Sequence, residues 1–242
     1  MSVAPPHVMS PIERPRSLTE IVTGQIRELI VTGKLGLDEQ LSEGTLSSQL
    51  GVSRTPVREA FLRLESERLV EVRPQRGTFV FGFDAAKLRE LCELREVLET
   101  GALRVGLGHD RRRYVDALAA EVAQAAEAHP RTAADYQPFD TAFHETLVRG
   151  SGNAELIEAY ERISGRVRTI RYRLTRSKAQ IEGSQRDHAE IVDLLRAGGD
   201  EAALRCLVTH VYNGYQIYLK ELDAEQKAAR PKRRPAKGRT HQ

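Results

Sequence analysis

Three histidines and one aspartate have the residue types and spacing from which a metal centre could be built. In "YQPFDTAFHETLV" Asp140 and His144 stand at i, i+4 beside a row of Phe139, Phe143 and Leu147. In "DHAEIVDLL" His188 aligns with Ile191, Val192 and Leu195, and in "CLVTHVYNGYQIY" His210 aligns with Leu207, Val211 and Gly214. Helical spacing places each set on one face. A single histidine on an apolar face is more often a hydrogen-bonded core residue than a ligand. Three of them, with a carboxylate one turn from one histidine, also suit a divalent ion, since imidazole and carboxylate ligate Zn²⁺, Ni²⁺, Fe²⁺ or Mn²⁺. Helical bundles build metal sites from such inward side chains. On chemistry alone both readings stand. The remaining histidines, His7, His109, His129 and His241, fall near the ends or at helix breaks.

Two other features carry charge to defined places. Arg95 lies in the row Leu88, Leu91, Leu98, Ala102, which should face an interior. A buried guanidinium is costly without an anion. The anion is either an internal carboxylate such as Glu99 or the carboxylate of a ligand gripped forkwise. The second feature is "GVSRTPVREAF" (51–61). It sets Arg54 and Arg58 one helical turn apart behind a turn, with Val57, Ala60, Phe61 and Leu64 as the apolar stripe. A helix that follows a tight turn and shows cations at its exposed N-terminal part can enter the DNA major groove. There Arg54 and Arg58 would contact phosphates or grip guanine O6 and N7. Ser53 and Thr55, with the helix's free N–H groups, suit a phosphate. The alternative for either arginine is a solvated helix face paired to Glu59 or Glu65.

The elements that position these groups divide the chain in two. Four prolines in 1–16 point to a disordered tail. "SLTE" at Ser17 matches a capping box and opens a helix with Leu18, Val22, Ile26, Leu29 and Ile30 on one face, stopped near Gly33. A second short helix is expected over 42–50, with Leu46 and Leu50 inward. A third begins at 53–55, tolerates Pro56 in its first turn and runs to about Arg68. "LVEVRPQRGTFVF" then reads as a hairpin around Pro74–Gly77, with Arg76 and Gly77 at its tip. Residues 17–82 thus read as a winged helix-turn-helix, three helices plus a β-hairpin wing. Residues 83–222 show helical periodicity throughout. Breaks are expected at 108–110, 129–133, 150–153, Gly183 and 198–200, which gives an all-α bundle of six or seven helices.

Composition sets outer bounds. The chain has 242 residues and a formal charge of +3. From Asp223 onward seven Lys/Arg face two acids, so that segment carries +5 and the remainder −2. The 223–242 stretch reads as a basic, disordered tail, either simply solvated or adding weak attraction to phosphate. No apolar run suggests a membrane span, and the start of the chain does not resemble a signal peptide. Cys92 and Cys206 lie far apart in helical patterns and read as small buried hydrophobes, which suits a reducing cytoplasm.

The order of residues is also familiar. "LSSQLGVSRTPVREAFLRLESERLVEVRPQRGTFV" closely resembles the DNA-binding domain of GntR-family bacterial transcription regulators, over nearly all of 18–81. The resemblance implies DNA contact through Arg54, Thr55, Arg58 and the wing residues Arg76 and Gly77. Many members carry a phosphate-contacting arginine at the start of the second helix, where this chain has Gly44. That departure shifts affinity toward the third helix and wing. "ELREVLE", "DTAFHETLVRGSGNAEL" and "DHAEIVDLLRAGGDEAALRCLVTHV" resemble the FCD effector domain of the FadR subfamily, over most of 86–218. In metal-binding members the ligands fall at Asp140, His144, His188 and His210, all present here. The resemblance further implies Arg95 as a clamp for an effector carboxylate. Asn153 matches the family pattern too, although a turn or cap role suits it better than a ligand contact.

The sequence therefore reads as a DNA-binding regulator, a homodimer on a pseudo-palindromic double-stranded operator. A small organic acid or sugar acid is its expected effector, bound at a divalent metal, Zn²⁺ first with Ni²⁺, Fe²⁺ or Mn²⁺ as alternatives. A regulator that senses the metal itself is the second reading. A metal-dependent enzyme is the third, and no general base set against the four ligands supports it.

Overall fold

The structure, a computed structural model, describes residues 17–175 and 177–229. Within them the order is α1 (Leu18–Val31), β1 (Gln40–Leu41), α2 (Glu43–Leu50), α3 (Arg54–Ser66), β2 (Val70–Arg73) and β3 (Gly77–Val80). Six helices follow: α4 (Ala85–Leu107), α5 (Arg111–Ala128), α6 (Ala133–Arg149), α7 (Ala154–Leu174), α8 (Lys178–Arg196) and α9 (Asp200–Ala229).

The start of α1 follows from its capping box. Ser17 Oγ accepts from the Glu20 N–H, and Glu20 Oε2 accepts from the Ser17 N–H at 3.0 Å. Val22, Ile26 and Ile30 are buried as expected, but Leu18, placed on the same face, is 51% exposed at the first position of the helix. Ser42 caps α2, and Gly51 ends it at φ +65°, a conformation in which a side chain would be strained. The stripe Val57, Ala60, Phe61, Leu64 of α3 is buried against α1. Burial of each large apolar side chain contributes about 1.5–3 kcal/mol. β2 and β3 pair antiparallel with Arg73 opposite Gly77, and β1 joins the far edge of β3, giving the order β1-β3-β2. The wing is thus a three-stranded sheet rather than a bare hairpin. The two-residue β1 is too short to leave an alternating pattern.

The helical half has its own core, with Leu88, Leu103, Leu118, Phe143, Leu147, Ile191 and Leu207 at its centre, while Ile26, Ile30, Leu64 and Val80 centre the other. Phe83 packs against both. The halves meet where α1 lies on α7. There a Cβ on Gly165 would come within 2.8 Å of Leu69 Cδ1, so a side chain at 165 would require the buried Leu69 to shift.

Two expected boundaries differ. No break occurs at Gly183, since α8 runs through it; α7 ends at Leu174 and α8 starts at Lys178. Ser177 and Gln180 form a capping box there, which sets the start of α8 more strongly than one mid-helix glycine, at about 1 kcal/mol, can interrupt it. The basic segment expected to be disordered from 223 instead continues α9 to Ala229, through the good helix formers of "DAEQKAA". The 1–16 tail and the rest of the basic tail lie outside the described residues.

Candidate metal centre and nucleic-acid interface

α6 contributes Asp140 and His144, α8 contributes His188, and α9 contributes His210. One ligand atom from each of the four lies within 4.8 Å of all the others. Asp140 Oδ1 is 3.7 Å from both His144 Nε2 and His188 Nε2, and the Nε2 atoms of His188 and His210 are 3.3 Å apart. All four side chains are buried. The His188 ring is held by stacking on Phe143, with centroids 3.9 Å apart and planes 11° from parallel.

The ionisation states of the cluster itself suit a cation. Burial would push the Asp140 carboxyl up, but Arg171, with His144 and Arg95 behind it, outweighs this and holds it below its ordinary range. Arg171 Nη1 lies 2.6 Å from Asp140 Oδ2. Burial drives the pKa values of His144 and His188 well below the ordinary imidazole value, with neighbouring cationic groups adding to the effect. These rings are therefore neutral near pH 7, the form that ligates a metal. Burial also works against the Arg95 charge, but Glu99 more than compensates and its pKa is raised.

Arg95 is buried, and Glu99 is its partner: Nε donates to Oε1 at 2.7 Å, and Nη2 lies 2.8 Å from His144 Nε2. Of the two anions weighed for Arg95, the internal carboxylate is thus present. Glu99 Oε2 and Arg171 Nε are buried with no hydrogen-bond partner. An unmet buried polar atom costs about 1–3 kcal/mol. A cavity of about 550 Å³ opens beside the cluster, with Arg95, Asp140, Arg171, Arg186, His210 and Lys220 among its walls.

In the winged half Ser53, Arg54, Thr55 and Arg58 are all exposed at the start of α3, and Arg76 and Gly77 are exposed at the wing tip. Ser53 stands at the N-cap, but its hydroxyl makes no capping hydrogen bond. Arg58 pairs with Glu43 of α2, Nε to Oε1 at 3.1 Å and Nη2 to Oε2 at 2.9 Å. Its expected alternatives, Glu59 and Glu65, are not its partners. Arg54 Nη2 lies 3.5 Å from where a Gly44 Cβ would stand, so the missing side chain at 44 leaves room for that guanidinium. The wing tip is tied down by Gln40, whose Nε2 donates to the Arg76 carbonyl at 2.8 Å.

Residues 18–80 match the family model "Bacterial regulatory proteins, gntR family", and 90–213 match the "FCD domain". The chain belongs to the GntR family. Among its relatives, the "Probable D-xylose utilization operon transcriptional repressor" of Paenarthrobacter nicotinovorans is 33% identical over 196 residues, 78% of this chain and 85% of that protein. The gluconate operon transcriptional repressor of Bacillus licheniformis is 26% identical, over 71% of this chain and 70% of that protein. A solved GntR regulator from Rhodococcus sp. RHA1 superposes with a TM-score of 0.65 at 26% identity, covering 84% of this chain and 97% of that one. These relatives are transcriptional regulators, not enzymes. Among the described residues, no helix is long and apolar enough to cross a membrane.

Within this GntR regulator the four residues named as ligands converge, and Arg95 reaches the same cluster. Asn153 does not. It caps α7, with Oδ1 accepting from the N–H groups of Glu155 and Leu156 at 3.0 and 3.2 Å. Its carbonyl oxygen is engaged there. Sequence reasoning missed Arg171, Arg186 and Glu43. For Arg171 a signal existed: Ile163, Val167 and Ile170 mark the buried face of α7, and Arg171 falls on it at i+4 from Val167.

Proposed function

We propose that this regulator binds a pseudo-palindromic operator as a homodimer and that a small organic acid or sugar acid, bound over a divalent ion in the FCD domain, controls that binding. One observation carries the reading: Asp140, His144, His188 and His210 converge, and two of them, Asp140 and His210, line a cavity that also presents Arg95, Arg171 and Arg186. Those four ligands would hold Zn²⁺, Ni²⁺, Fe²⁺ or Mn²⁺, which would supply a Lewis-acidic positive charge beside the cavity. Among the fully buried groups, Asp140 and Glu99 balance Arg95 and Arg171. A divalent ion would leave two positive charges over, and an anionic effector is the natural complement. Arg186, exposed on α8 and among the cavity walls, is placed to meet its carboxylate. The names of two relatives, repressors of xylose and gluconate operons, support repression and an effector related to sugars or sugar acids.

DNA contact through Ser53, Arg54, Thr55, Arg58, Arg76 and Gly77 is supported by their common exposure on helix start and wing tip. Leu94 and Val97, exposed on α4 one turn apart, are suited to a face between two copies. The second reading, in which the metal itself is sensed, gains from the Arg95–Glu99 pair, because Arg95 then needs no organic anion. The test is thermal stability against a panel of small carboxylates and sugar acids, with and without prior chelation. A ligand at 100-fold its dissociation constant adds about 2.7 kcal/mol. A stabilising acid whose effect vanishes on chelation supports the first reading. Failure of every acid, with operator affinity following metal concentration, supports the second.

A further inference from the structure

The three histidine rings of the cluster are held in different ways. His188 is fixed by its stack on Phe143. His144 has Glu99 Oε2 at 3.1 Å from Nδ1, but that oxygen makes no hydrogen bond, so the pair is close without being aligned. His210 alone has a carboxylate hydrogen-bonded to the ring: its Nδ1 lies 3.0 Å from Asp187 Oδ2. Asp187 precedes His188 on α8, so one stretch of helix supplies a ligand to the cluster and an anchor to a ligand on α9, the helix it packs against. A carboxylate accepts only, so the shared proton sits on Nδ1 and the Nε2 lone pair is left to the cluster. That Nε2 is the atom 3.3 Å from His188 Nε2.

We infer that Asp187 is a positioning residue for the metal centre: it fixes the tautomer and the angle of His210, so that Nε2 is the donor atom, and it raises metal affinity without touching the ion. The inference rests on the metal reading above. A hydrogen-bond acceptor behind a ligating imidazole sets the ring's tautomer and basicity, and its loss costs about 10–100-fold in affinity. Asp187 is also one of the cavity's walls, so a ligand entering there passes the group that orients His210.

The test uses the full chain with Zn²⁺ as probe. Asp187 is a third exposed at its side chain and alanine suits a helix, so Asp187→Ala should fold, with circular dichroism as the check. Zn²⁺ affinity, measured by competition with a chromophoric chelator, is expected to fall about 10–100-fold in Asp187→Ala. Asp187→Glu should recover part of the loss. Ring ¹⁵N shifts of the Zn²⁺-loaded wild type should show His210 protonated at Nδ1 and bound through Nε2. Unchanged affinity in a folded Asp187→Ala, or coordination through Nδ1, overturns the inference alone. A wild-type chain that takes up no divalent ion overturns the metal reading and this inference with it.

Discussion

Arg171 and Arg173 stand two residues apart on α7 and grip different halves of the molecule. Arg171 Nη1 lies 2.6 Å from Asp140 in the ligand cluster, and Arg173 Nη2 donates to the Leu35 carbonyl, between α1 and β1, at 2.7 Å. Two helical positions are about 200° apart, so one rigid rod meets both sites on opposite faces. Arg168 adds a looser contact to Glu28 of α1 at 3.7 Å. A change at Asp140 therefore has a short physical route to the winged half. Arg173→Ala should leave effector and metal binding unchanged but shrink the effector's influence on operator affinity by about 0.5–2 kcal/mol. Fluorescence anisotropy on labelled operator, with and without effector, measures this. An undiminished response would remove α7 from the route.

The Arg58–Glu43 pair bears on DNA reading in a similar way. Both partners are surface groups, so the pair itself adds little to stability. It holds the Arg58 guanidinium in one position at the exposed start of α3. Arg58→Ala should cost about 1–3 kcal/mol per half-site if the contact is bidentate to a base. Metal content and melting temperature should stay near wild type. Normal operator affinity in Arg58→Ala would show that α3 does not read the site through this residue.

Much of this was legible because the chain's signals agree with one another. The apolar stripe of α3, the capping box at Ser17 and the turn at Gly51 each point to the same winged half, and the three histidines lie on stripes that fold inward. The misreadings have local causes. Gly183 resembled a break, whereas the cap pair Ser177 and Gln180, six and three residues earlier, decided where α8 starts. Arg171 was hidden in "RVRTIRYRL", where four arginines suggest a solvated face until the apolar period is followed through them. Arg58's partner on α2 is 15 residues away in sequence, and no local spacing rule reaches it.

Glycine packing offers a test of the bundle alone. A Cβ on Gly150 would run into the Tyr114 ring and come 3.0 Å from the Thr146 carbonyl, while Tyr114 is pinned by donating to the Leu147 carbonyl at 2.6 Å. Neither the ring nor the backbone can yield cheaply, so Gly150→Ala should destabilise by about 1–3 kcal/mol. Gly24, inside α1, would meet nothing within 4 Å, and Gly24→Ala should stabilise by up to about 1 kcal/mol. Urea unfolding of both variants gives the opposite signs directly. Equal effects would mean that the Tyr114 contact does not constrain Gly150.

If the cluster binds metal as proposed, chelation should act on one half only. His188 sits between Phe143, Asp140 and His210, and its loss takes away a ligand and a stacked ring at once. His188→Ala should lower metal content and the melting temperature of the helical half, and chelation of wild type should do the same without the packing defect. The winged half keeps its own core around Ile26, Ile30 and Leu64, so it should stay folded in both cases. Hydrogen exchange resolves the two: amides of α6, α8 and α9 should lose protection while those of α1 and α3 keep theirs. If chelation left the exchange of α6, α8 and α9 unchanged in a protein shown to carry metal, the ion would not be bound by this cluster, because binding energy at these four side chains must appear as stability of the helices that present them.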